Sequence, residues 1–245
     1  MKKKRRVVLS RNEAVQRLDE MILLIEENVR IGLRIEAALE TANDIVMSGI
    51  GKLNCYGAEC YNIVKDCMAL NLALTLARLF DSGARRFHPN ERDVASIPLL
   101  IRLLRQKRCH DALIARARSW TPHLPESSDA QAACCERAIK DAIGAYVSLR
   151  RTHQGRQAAE TLKQFRDKKL AHSLMGTVLK AVPQYRQLFL LMDVARDVTN
   201  GAKLAIRGDN LDFKEVEDGW HCESRAFWEP ALRAAVTAAE ADFAA

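Results

Sequence analysis

Between residues 15 and 45 the apolar side chains recur at spacings of three and four. Val15, Leu18, Ile22, Ile25 and Val29 form one seam, and Met21, Leu24, Ile31, Ile35, Ala38 and Ile45 form a second. Such spacing keeps returning to one side of a helix, whereas a strand alternates its faces at every residue. Two adjacent seams make a wide apolar face, suited to packing against two neighbours. The start is marked too, because Ser10 followed by Glu13 is a capping-box pattern. The pattern predicts one long helix that closes near the glycines of "SGIGK" at 48–52.

The same rhythm runs through the rest of the chain. Gly (11) and Pro (6) are scarce, which argues against a loop-rich or all-β design. A second helix is expected from about Asn54 to Asp81, its later half, "CMALNLALTLARLFD", apolar almost all round and therefore central. "SGARRFHPNERD" reads as a loop, and "SIPLLIRLL" as a short helix with Ser96 as cap and Pro98 in its first turn. "CHDALIARARSW" continues or follows it as another, and "TPHLPESSD" is a second loop. A long helix is expected from about Asp129, with a break or exposed bend at "RRTHQGRQ" where Gly155 falls. The pattern resumes at Ala158. A further helix is closed by Asn200-Gly201, and the last kinks or restarts at Pro230. With no internal repeat and no low-complexity linker, the reading is all-α: a flexible basic arm over residues 1–9, then a single bundle of long antiparallel helices over 10–245.

The net charge of +7 is unevenly placed. Lys2, Lys3, Lys4, Arg5 and Arg6 supply five of those charges, leaving 38 − 31 − 5 = +2 for the body. Two readings of this arm stand: a tail with no specific task, or a strand of cations that pairs with phosphates and steers a polyanion. "VVL" after the basic start is too short for a signal peptide's apolar core, and no apolar run is long enough to span a membrane. The seven cysteines include no CxxC pair, and Cys55, Cys60 and Cys67 do not share one helical face. That argues against a zinc knuckle and favours reduced, mostly buried thiols in a cytoplasmic protein. No metal and no cofactor are expected. No register fits a helix-turn-helix with a base-reading face, so a DNA-binding regulator is set aside.

Among the polar stretches, two stand out. On the second helix, Asn71, Thr75 and Arg78 fall on one narrow stripe. Either the stripe is the helix's solvent face, or it lines a polar groove to which Asn71 and Arg78 contribute. Arg78 and Asp81 are also spaced for an i, i+3 ion pair. The other stretch is "RDKKLAH" at 166–172. An arginine followed by a histidine after four to six residues occurs four times: at Arg105–His110, Arg116–His123, Arg118–His123 and Arg166–His172. The spacing alone therefore proves nothing. Arg166–His172 has more around it. Asp167 follows the arginine directly, Lys168 and Lys169 add positive charge, and His172 extends the apolar seam Ala158, Leu162, Phe165 if the helix is unbroken.

"RDKKLAH" resembles the arginine–polar–histidine signature of the HEPN superfamily of helical-bundle proteins. The order "LALTLARLFD", "SIPLLIRLL", long helix, "FRDKKLAH" is similar to its abortive-infection, AbiU-like branch, over roughly residues 10 to 235. The resemblance implies a metal-independent ribonuclease of phage-defence or toxin–antitoxin type, or a catalytically silent relative that binds RNA or a protein partner. It implies a homodimer with two motif copies across a cleft, and an antitoxin as a further partner. It assigns His172 as general acid–base and Arg166 as phosphate stabiliser, with Asp167 orienting Arg166 or the facing chain's site. Lys168 and Lys169 would hold the RNA substrate, a role inferred from their charge, and Asn71 and Arg78 would touch RNA from the groove on the second helix. Some HEPN toxins carry a tyrosine two residues after the histidine, where an antitoxin nucleotidyltransferase modifies them. Here that position is Leu174, a departure that puts silencing by that route in doubt.

Overall fold

The computed structural model describes residues 9–50, 58–83, 87–167, 182–211 and 213–243. The basic arm up to Val8, Cys55, Lys168, Lys169, His172 and Leu174 lie outside them. The described residues form eight α-helices and no strand, as the spacing predicts: α1 Arg11–Ile45, α2 Ala58–Leu79, α3 Ile97–Leu104, α4 Lys107–Ala117, α5 Ser128–Arg151, α6 His153–Phe165, α7 Tyr185–Arg207 and α8 Phe213–Phe243. They gather into two compact units, Met1–Val29 with Leu76–Leu211, and Arg30–Thr75 with Asp212–Ala245. None of these helices is long and apolar enough to cross a membrane.

In the first unit the start of α1 is reciprocally capped. Ser10 N donates to Glu13 Oε2 at 2.6 Å, and Glu13 N donates to Ser10 Oγ at 3.2 Å. These bonds hold the Glu13 carboxyl below its ordinary range. Leu18, Ile22, Ile25 and Val29 of the first seam are fully buried. α5 and α7 lie against each other and run antiparallel: the Cys135 thiol donates to Ala205 O at 3.4 Å, while Gly201 approaches Ala138 and Ala142 one turn further along α5. Arg116 of α4 ties the layers together by donating to both Asp19 carboxylate oxygens, at 2.9 and 3.2 Å, and to Ile206 O. Lys203 and Glu26 meet at 2.7 Å with side chains only 12% and 11% exposed.

The second unit is built on the later half of α1 and on α8. Ala42, Ile45, Trp228 and Leu232 form a buried cluster, and Tyr61 meets the Trp228 ring edge-on at 6.0 Å. Arg30 stacks over Phe213 and Arg34 over Trp220, at 5.5 and 5.1 Å. Thr41 lies 3.1 Å from His221. These pairings climb together along α1 and α8, so the two stretches run in the same direction.

Several boundaries differ from the reading of the sequence, each for a physical reason. α7 does not close at Asn200-Gly201 but continues to Arg207 and stops at Gly208, whose φ of 75° is the left-handed conformation that ends helices. Gly201 serves close packing instead, since a Cβ there would sit 2.8 Å from Ala138 O. The break after α5 falls at Thr152, whose hydroxyl accepts from Gly155 N at 3.1 Å and caps α6. Gly155 is buried in the new helix rather than exposed at a bend. Ser96 holds the N-cap position of α3 but its hydroxyl makes no cap bond and is buried without a partner. The second helical position is Pro98, which has no N–H to offer it. Of the two alternatives expected at Pro230, a kink or a restart, the restart does not occur, since α8 continues through it as one helix. Of the six described cysteines, only Cys109 and Cys135 are buried; Cys60, Cys67, Cys134 and Cys222 are exposed, so the thiols are not mostly buried as expected.

Candidate functional site

The site is assembled at the C-terminal end of α6. Thr152 fixes the start of that helix, and Ala158, Leu162 and Phe165 anchor one face in the core. Ala159, Glu160, Leu162, Lys163 and, past the last turn, Arg166 and Asp167 line a cavity of about 640 Å³. Tyr146 and Arg150 of α5 form another wall, and the chain leaving α2 closes it with Phe80, Asp81, Ser82 and Gly83. All of these residues belong to the first unit.

Arg166 is held from two sides. Its NH1 donates to Asp81 Oδ1 at 2.8 Å and its Nε to Asp167 Oδ1 at 2.8 Å, with NH2 in ion-pair contact with the same Asp167 oxygen at 2.7 Å. Arg166 and Asp81 are each about a third exposed, at 31%. Burial acts to lower the guanidinium's pKa, but the hydrogen bonds to Asp167 and Asp81 and their charges outweigh it and raise it. The cation is therefore secure at any pH the fold tolerates. Asp81 is itself pinned, because Gly83 N donates to its Oδ1 at 2.9 Å across a turn in which Gly83 adopts a φ of 71°.

Two of the sequence-derived candidates, Arg166 and Asp167, are thus brought together, and Asp167 touches Arg166 directly. Arg78 is exposed and does not line this cavity. Asp81 takes Arg166 as its ion-pair partner rather than Arg78, so the i, i+3 pair is not formed. Asn71 is exposed in the second unit, while Thr75 between them in the stripe is only 1% exposed. The stripe is consequently neither a continuous solvent face nor a continuous groove wall. Sequence reasoning missed Asp81 as Arg166's partner, and Arg150 and Lys163 as cavity cations. One signal was available: Asp81 is the final residue of "ARLFD", the segment that precedes the heptapeptide in the resemblance. No group of three His, Cys, Asp or Glu arranged to hold a metal occurs among the described residues.

A cavity that presents a charge-secured guanidinium is suited chemically to an anionic group such as a phosphate. Comparison with protein families gives a match to HEPN_AbiU2, described as AbiU2, over residues 51–221, well over half of the chain. That span contains every residue of the cavity. Comparison with curated proteins and with solved structures found no match. The chain belongs to the AbiU2 family of HEPN proteins.

Proposed function

We propose that this protein is a metal-independent endoribonuclease of phage-defence or toxin–antitoxin type that acts as a dimer through a composite site of Arg166, Asp167 and His172. RNA carries its own nucleophile beside the scissile phosphate. A base takes the proton of the 2′-hydroxyl, the 2′-oxygen attacks phosphorus, and the P–O5′ bond breaks as an acid protonates the leaving oxygen. The products are a 2′,3′-cyclic phosphate and a 5′-hydroxyl. A histidine near its ordinary pKa serves as either base or acid at neutral pH. Each chain supplies one, so two protomers supply one for each role. Arg166 holds the phosphate oxygens and stabilises the charge that grows on the phosphorane. Asp167 orients Arg166, and Lys168 and Lys169 add to the hold on the strand.

The observation that carries this reading is the position of Arg166 on the cavity wall, fixed between Asp81 and Asp167 within the span of the family match. The test places a single 2′-deoxynucleotide at a mapped cleavage position of an RNA substrate. Cutting stops at that position if the 2′-hydroxyl is the nucleophile, and continues if a water attacks instead.

The same clamp favours one second reading. Two carboxylates balance the Arg166 charge, an arrangement equally suited to a silent module that binds RNA or a protein partner without cutting. That reading requires binding to be intact while no RNA is cleaved under any condition.

A further inference from the structure

Three cations and three carboxylates line the cavity, but they are not equivalent. Arg166 is occupied by Asp81 and Asp167. Glu160 accepts a hydrogen bond from the Gln164 amide at 3.0 Å. Arg150 and Lys163, both exposed, make no ion pair among the described residues. They come from different helices, α5 and α6, and so flank the cavity from two walls. Arg150 also acts electrostatically on the Tyr146 phenol, which places its charge over the same space.

A substrate phosphate entering this cavity meets two kinds of cation. Pairing with Arg166 has to compete with carboxylates already at 2.7–2.8 Å. Pairing with Arg150 or Lys163 displaces only water and counterions. Initial hold on a polyanion therefore belongs to the two cations that no carboxylate pairs among the described residues, and Arg166 is left for the reacting phosphate, whose charge increases during reaction.

We propose that Arg150 and Lys163 are substrate-positioning residues that pair with the RNA phosphates flanking the scissile one. This rests on the ribonuclease reading for its substrate, but binding tests it independently of cutting. The probe is a short single-stranded RNA oligonucleotide with 2′-O-methyl groups throughout, which cannot supply the nucleophile. Its affinity for the full chain is measured against salt concentration. For single strands each phosphate contact contributes about 0.7 to the slope of log affinity against log salt. Arg150→Ala and Lys163→Ala should each flatten the slope by about 0.7, and the double variant by about 1.4. Arg150→Lys and Lys163→Arg should keep the slope of the wild type, which a merely structural role would not require. An unchanged slope in both alanine variants overturns the proposal, as does a wild type that does not bind the probe. Flattened slopes in a protein that cuts no RNA would keep Arg150 and Lys163 as phosphate-binding residues but sink the ribonuclease reading, so the two failures are distinguishable.

Discussion

Gly201 stands in the middle of α7, where a glycine normally weakens a helix, and replacing it by alanine is expected to destabilise the protein. The intrinsic gain from Gly→Ala in a helix interior is about 1 kcal/mol. Against it stands the approach to α5. The new Cβ would lie 2.8 Å from Ala138 O, 3.1 Å from Ala142 N and 3.2 Å from Ala142 Cβ. All three are inside an ordinary contact of about 3.5 Å. The first two are backbone atoms, which no rotamer change can move aside, so α5 and α7 must part. Overpacking of this kind costs about 1–3 kcal/mol, leaving a net loss of about 1 kcal/mol. For a chain of this size that lowers Tm by about 2–4 °C. Gly144 in α5 and Gly219 in α8 are the controls, since a Cβ at either meets nothing within 4 Å. Gly144→Ala and Gly219→Ala should stabilise by about 1 kcal/mol each. Urea unfolding followed by far-UV circular dichroism reads all three. Gly201→Ala stabilising as much as the controls would refute the close-packing argument.

Three further outcomes are expected. Burial pushes the Cys135 thiol up to about 11 from 9.0, so on raising the pH the unfolded chain loses this proton first while the fold retains it. Stability present below pH 9 should therefore fall by up to about 2–3 kcal/mol between pH 9 and 11, and Cys135→Ala should remove that part of the pH dependence; identical slopes for the two proteins would contradict it. Lys203→Ala withdraws the ammonium 2.7 Å from the nearly buried Glu26 and should cost about 3 kcal/mol in the same urea assay, a loss under 1 kcal/mol marking the pair as unimportant. Thr152→Ala removes the hydroxyl that caps α6 and should cost about 1 kcal/mol, checked by thermal unfolding against Thr152→Ser, which retains the cap.

Helix identity was legible in the sequence because it rests on local chemistry. The Ser10–Glu13 box, the three-and-four spacing over 15–45 and Pro98 near a helix start all act within a few residues of themselves, whereas the packing of the second seam was not legible, since its Leu24 and Ile31 are exposed. What was not legible depends on distant partners. Gly201 looks like a stop and Gly155 like a bend until Ala138 and Leu149 are seen beside them. Nothing local distinguishes those glycines from Gly208, which does end its helix, in a left-handed conformation against Trp120. The site behaves likewise. Asp81 has Arg78 three residues before it, yet its partner is Arg166, 85 residues away. Arg166 and Asp167 were recognisable through their motif, whereas Arg150 and Lys163 gain meaning only from the cavity they share.

The most direct test of the ribonuclease account is cleavage of total RNA and tRNA in excess EDTA by the wild type, His172→Ala and Arg166→Ala. The wild type is expected to cut, leaving 2′,3′-cyclic phosphate ends, and each variant to lose at least about 100-fold in rate. Cleavage that requires a metal ion and survives the loss of His172 would contradict it.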